Sequence, residues 1–214
     1  GQFKRGKSTF INALLGEDLL PTAIVPLTSV VTVIQYGPRV RVCMQFMDGK
    51  EKDVPVSDLS ELITERGNPN NHKGVQEVTI YHPSPYLQGG VRIIDTPGVG
   101  SVYRHNTDVA YRYLPYVDAG IFIISADPPL SESEHLFLKD IRDYVDKIFF
   151  VVNKIDQVCD RDREESMEFT RSILCSDLNR QDVALHPLSA RCALEAKTDN
   201  DADKLEQSLL PQFE

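Results

Sequence analysis

The chain opens Gly1-Gln2-Phe3-Lys4-Arg5-Gly6-Lys7-Ser8, a fit to G-x-x-x-x-G-K-[ST], and this stretch constrains everything after it. Glycines at both ends let the backbone curl until successive N–H groups point inward, making a cradle for phosphate oxygens. Lys7 is placed to reach the outer phosphates and the Ser8 hydroxyl to bind Mg²⁺. A helix must follow at once so that its positive end faces the phosphates. Ile11, Leu14 and Leu15 supply the spacing of such a helix, and Gly16 stands where a terminating glycine belongs. A loop of this kind joins a buried strand to a helix, and no strand precedes Gly1. The expectation is therefore a piece of a longer protein, with the first strand missing from the chain and a C-terminal continuation.

With 214 residues the chain suits one domain with one substantial core. Its net charge of −9 argues against a nucleic-acid surface or a broad polybasic membrane patch. Cys43, Cys159, Cys175 and Cys192 form no C-x-x-C pair and read as buried, reduced thiols. No apolar run reaches the 18–20 residues of a membrane span, and no signal peptide is evident.

Ser29–Tyr36 and Arg39–Met47 read as strands, the second closed by an Asp48-Gly49 turn. A short helix over Ser57–Arg66 follows, then strands near Gln76–His82 and Gly90–Asp95. The later pattern alternates. Helices are expected at Asp108–Leu114, from a Ser131/Glu134 capping box to about Val145, and at Arg163–Ser176. Strands are expected at Ala119–Ser125 and Ile148–Asn153, buried on both faces, and at Val183–Pro187, with helix beyond. This predicts an α/β fold, a mostly parallel sheet covered on both faces.

Two further motifs fall at strand ends. Asp95-Thr96-Pro97-Gly98 closes an apolar strand, where an aspartate holds Mg²⁺ through water and the glycine lets a backbone N–H approach a γ-phosphate. Asn153-Lys154-Ile155-Asp156 follows the strand IFFVVN. A carboxylate at Asp156 accepts two hydrogen bonds from the N1–H and exocyclic amine of guanine, a pair adenine cannot donate, so the motif selects GTP over ATP. Lys154 lays its stem against the base and Asn153 ties loops together. In Leu188-Ser189-Ala190, the Ala190 amide is expected to contact guanine O6.

In this order the motifs resemble the guanine-nucleotide-binding proteins of the phosphate-loop class. GQFKRGKSTFINALLG, then Leu19-Leu20-Pro21-Thr22, Pro26-Leu27-Thr28, DTPGVGSVYRHNT and SADPPLSESE are similar to the GTPase domain of the dynamin family, especially its bacterial dynamin-like members. Thr28 and Asp95 lie 67 positions apart, where two strands and a hairpin need only about 15–20 residues, so the sheet carries an inserted extension between the switch regions.

The resemblance implies one GTPase domain over residues 1–214, three-layered, binding GTP or GDP with Mg²⁺. It assigns nucleotide contacts to Gly1, Lys4, Arg5, Gly6, Lys7, Ser8, Thr9, Asn153, Lys154, Asp156, Ser189 and Ala190. It assigns the metal to Ser8, Thr28 and Asp95, and catalysis to Lys4, Thr28 and Gly98. Val99 cannot position water as a glutamine does, so the positive charge is sought at Lys4, where atlastin-like relatives carry an arginine. The resemblance further implies a cytoplasmic protein, peripheral to a membrane. It would form a homodimer or larger oligomer through its nucleotide face, and its lipid-binding segments and helical stalk would lie outside these residues. Two alternatives stand beside it. One is a monomeric regulatory GTPase, and the other a GTP-binding assembly module with little hydrolysis.

Overall fold

The computed structural model describes residues 4–22, 30–96, 111–142, 144–145 and 147–214. In chain order the elements are α1 (Lys7–Leu15), β1 (Val31–Tyr36), β2 (Arg41–Phe46), β3 (Glu51–Val54), α2 (Leu59–Ile63), β4 (Val75–His82) and β5 (Arg92–Asp95). They continue with β6 (Gly120–Ser125), α3 (Glu132–Ile141), β7 (Ile148–Asn153), α4 (Asp160–Leu178), β8 (Leu185–Pro187), α5 (Ala190–Asp199) and α6 (Ala202–Gln207). They divide into two units: Asp18–Tyr111, and Gly1–Glu17 with Arg112–Glu214.

The second of these units carries the phosphate-loop motif. Its sheet runs β6-β7-β8, all parallel, with Ile124 beside Val152 and Val152 beside Pro187. Alternation along the strands sends successive side chains to opposite faces. One face sends Phe122, Ile124 and Phe150 against Leu138 and Ile141 of α3 and Leu174 of α4. On the other face the Phe213 ring meets Phe149 at 6.4 Å, His186 at 5.3 Å and Phe10 of α1 at 5.3 Å. Helices thus cover both faces, as expected, although Ile121 at the start of β6 remains 41% exposed. Helix α1 buries Phe10, Ile11, Ala13 and Leu14 and ends at Gly16, whose φ of 77° lets its N–H bond the Asn12 carbonyl at 2.8 Å. The Ser131/Glu134 capping box starts α3, which ends at Ile141 rather than near Val145. Helix α4 begins three residues before the expected Arg163. Asp160 and Asp162 in its first turn favour the helix dipole, and Asn179 at φ 51° caps its end.

In the other unit the order is β3-β2-β4-β1-β5. Val31, Val33 and Ile34 are buried in β1, which lies between β4, parallel to it, and β5, antiparallel. The expected insertion is β2, β3, α2 and β4. Its β2–β3 and β2–β4 pairings are antiparallel, the first because a tight turn can join strands in no other way. Parallel pairing therefore dominates the phosphate-loop unit, and the insertion brings antiparallel pairs. Strand β3 was not foreseen: Glu51-Lys52-Asp53-Val54 is a solvated edge with no buried alternation, held by Arg41 on Asp53 at 2.9 Å across the pair.

The four cysteines are free but not buried as expected: Cys159 is exposed, and Cys43, Cys175 and Cys192 are half-buried. Among the described residues no helix is long and apolar enough to cross a membrane.

Candidate nucleotide site

The loop before α1 owes its shape to two left-handed residues, Lys4 at φ 65° and Gly6 at φ 87°. The first helical bond, from the Phe10 N–H to the Gly6 carbonyl, is 2.8 Å. Lys7, Ser8 and Thr9 then form the first turn of α1, where N–H groups lack carbonyl partners within the helix. A Cβ at Gly6 would sit 2.4 Å from Asn153 Nδ2, so glycine is required by closeness as well as by φ.

Asn153, the last residue of β7, is 2% exposed and joins three segments. Its Nδ2 donates to the Arg5 carbonyl at 2.9 Å, and its Oδ1 accepts the Ala190 N–H at 2.9 Å. Phosphate loop, β7 end and α5 start are thereby locked together. The second bond engages the Ala190 amide, the group expected to contact guanine O6, with the Asn153 side chain.

Asp156 accepts one donor on each oxygen, Ser189 Oγ at 2.6 Å and Arg191 Nη2 at 2.7 Å. Ser189 also caps α5 by accepting the Cys192 N–H at 3.2 Å. A cleft of about 570 Å³ opens beside this carboxylate, lined by Ile155, Asp156, Arg163, Ser189 and Lys204 among others. Arg191 was not foreseen from sequence. Nothing in its position after Leu188-Ser189-Ala190 told that its guanidinium would fold back onto Asp156. Lys154 adopts φ 66° between these groups. Burial first, then repulsion from Arg5, push its ammonium below the ordinary 10.5; Asp156 opposes the shift and Lys4 adds to it.

Arg5 is turned into the protein. Its guanidinium is buried against Glu134 and the Pro128 and Pro129 carbonyls. Whatever Arg5 offers a nucleotide must come from its backbone. Glu134 was legible only as a capping residue, because one chain shows no sign of a partner 129 positions away.

Among the proposed metal donors, Ser8 is the second residue of α1, and Asp95, 3% exposed, ends β5 in the other unit. A hydroxyl and a carboxylate are hard oxygen donors, the type Mg²⁺ takes when phosphates complete its shell. No cluster of three or more His, Cys, Asp or Glu that could hold an ion alone occurs among the described residues. Gly1, Thr28 and Gly98 lie outside the described residues, as do residues 108–110 of the stretch expected as helix, whose residues 111–113 are helical.

Known proteins answer to this arrangement. The Dynamin family model matches residues 1–156. A protein described as uncharacterized, in the xynA 3′ region of Caldicellulosiruptor sp., is 47% identical over all of this chain and 53% of its own length. The bacterial dynamin-like protein of Nostoc punctiforme is 29% identical, with the whole chain covering 35% of it. A solved structure of an oligomerised bacterial dynamin pair superposes over the whole chain and 42% of its own, with a TM-score of 0.76 at 21% identity, a likeness of fold. The chain thus spans about half, or less, of these relatives. Family match and folded motifs agree: the chain belongs to the Dynamin family and carries its GTPase domain.

Proposed function

We propose that residues 1–214 act as one Mg²⁺-dependent GTP-hydrolysing domain, that its turnover rises when two copies meet across their nucleotide faces, and that the whole protein couples this cycle to membrane remodelling. The observation that carries the reading is the Asn153 bridge, which holds the phosphate loop and the Asp156 carboxylate in one frame. A nucleotide in that frame has its phosphates on the N–H groups of residues 4–9 and its base toward Asp156, with the Lys154 stem along the base. Asp156 then exchanges Arg191 for the guanine N1–H and amine. Lys7 would balance charge on the β- and γ-phosphates. The Thr28 carbonyl or hydroxyl and the Gly98 amide would orient the attacking water, while Lys4 would meet charge developing on the bridging oxygens. When bound, Mg²⁺ on Ser8, Thr28 and Asp95 would add electrostatic stabilisation to the same phosphates.

Self-association and membranes enter through relatives. The bacterial dynamin pair is described as oligomerised and as a mechanism for long-range sensing and tethering of membranes. In this chain a cytoplasmic, membrane-peripheral setting would depend on segments beyond residues 1–214. Asp156→Asn tests the base assignment. Preference should pass from GTP to xanthosine triphosphate, and an unchanged GTP preference would remove Asp156 from the base site.

A further inference from the structure

Arg5 sits between the two left-handed residues of the phosphate loop, and it is fixed on both sides. Its carbonyl is held by Asn153 Nδ2 at 2.9 Å. Its guanidinium meets the Glu134 carboxylate in a fork, Nε to Oε1 at 3.0 Å and Nη2 to Oε2 at 2.6 Å. The remaining contacts are Nη1 to the Pro128 carbonyl at 2.5 Å and Nη2 to the Pro129 carbonyl at 3.1 Å. Side-chain exposures of 5% and 0% put this pair in the interior.

Glu134 is equally committed, since its Oε2 also accepts the Ser131 N–H at 3.1 Å and the Ser131 hydroxyl at 2.8 Å. The segment it anchors is tied down further along. Ser125 Oγ donates to the Asp127 carbonyl at 3.0 Å, and Ser166 Oγ of α4 donates to the Ala126 carbonyl at 2.6 Å. A continuous run of bonds thus joins the phosphate loop to residues 126–134 and to α4.

We infer that Glu134 is a positioning residue for phosphate binding: acting through Arg5, it sets the direction of the loop amides and couples the loop to residues 126–130. The inference rests on the proposed function, in which residues 4–9 hold phosphate. Arg5 consequently commits its guanidinium hydrogen bonds to Glu134 and the Pro128 and Pro129 carbonyls rather than to the phosphates. Lysine cannot replace it, since an ammonium keeps the charge and loses the fork. Removing one member of a buried pair leaves the other uncompensated, whereas replacing both with apolar residues often restores stability.

The test measures GDP and GMP affinity by calorimetry on the full chain, with Lys7→Ala as reference. Gln at position 134 still satisfies the capping box, so Glu134→Gln keeps the start of α3 while breaking the charged fork. The expected result is a loss of tenfold or more for GDP with Glu134→Gln and with Arg5→Lys. Affinity for GMP, which keeps only the α-phosphate, should fall by clearly less. The double variant Arg5→Met/Glu134→Leu should recover thermal stability without recovering GDP affinity. GDP affinity at the wild-type level in Glu134→Gln, an equal loss for GDP and GMP, or recovery of GDP affinity in the double variant would each overturn the inference. A Lys7→Ala chain that binds GDP like the wild type would instead remove the proposed phosphate site itself.

Discussion

Replacing Asn153 with alanine should separate the phosphate loop from the base-side segment, and the structure sets the size of the effect. Two hydrogen bonds disappear, to the Arg5 carbonyl and from the Ala190 N–H, each 2.9 Å long. Both leave a polar group in a site where Asn153 is 2% exposed, at about 1–3 kcal/mol each when unsatisfied. Partial relaxation places the total at about 2–4 kcal/mol. That is a large share of the roughly 5–15 kcal/mol that holds a domain folded. Gly6→Ala attacks the same place from the other side. Its Cβ would lie 2.4 Å from Nδ2, and a non-glycine residue at φ 87° adds about 1–2 kcal/mol of strain. Once Asn153 is alanine, the added Cβ meets no amide, so the double variant should cost clearly less than the sum of the singles. Denaturant unfolding of wild type, both singles and the double provides the cycle. Additivity within about 0.5 kcal/mol, or a cost below about 1 kcal/mol for Asn153→Ala, would refute the claim that Asn153 and Gly6 form one structural joint.

Two smaller effects follow from the base side. Arg191 is 63% exposed in its side chain and, in the proposed function, would compete with guanine for Asp156; an exposed pair is worth about 0.2–1 kcal/mol. Arg191→Ala should therefore tighten GDP binding two- to threefold at low salt and by less at high salt, read by titration; weaker binding would show that Arg191 supports the base instead. Lys154 has its folded pKa lowered, so the unfolded chain holds the proton more tightly between that lowered value and 10.5. The cost of its buried charge is present at neutral pH and fades as pH rises through that window. Lys154→Met should raise melting temperature at pH 7, with the gain shrinking toward pH 10.5; a gain that grows with pH would contradict the sign.

The nucleotide motifs were legible because each needs particular residue types at fixed spacing next to a strong apolar pattern. IFFVVN announces β7, so Asn153 and Asp156 can be put at a strand end, and the Leu14–Gly16 stretch announces the end of α1. Edge and partner information was not legible. Glu51-Lys52-Asp53-Val54 forms a strand only because β2 offers it hydrogen bonds, and its charged side chains face water. Arg5 was read as a nucleotide contact, yet its side-chain partner lies on α3 across a tertiary contact that no local pattern encodes. The partner that Ala190 finds was hidden for a related reason: its amide donates to the Asn153 side-chain oxygen, again a tertiary contact that no local pattern encodes.

The most direct test of the account is GTP turnover per molecule of the full chain, measured against protein concentration with Lys7→Ala beside the wild type. The account predicts turnover that climbs with concentration in the wild type and is lost in Lys7→Ala. Wild-type turnover that survives Lys7→Ala would contradict the assigned site. Turnover flat across concentration would contradict stimulation by self-association, and tight GTP binding with no turnover at any concentration would contradict hydrolysis itself.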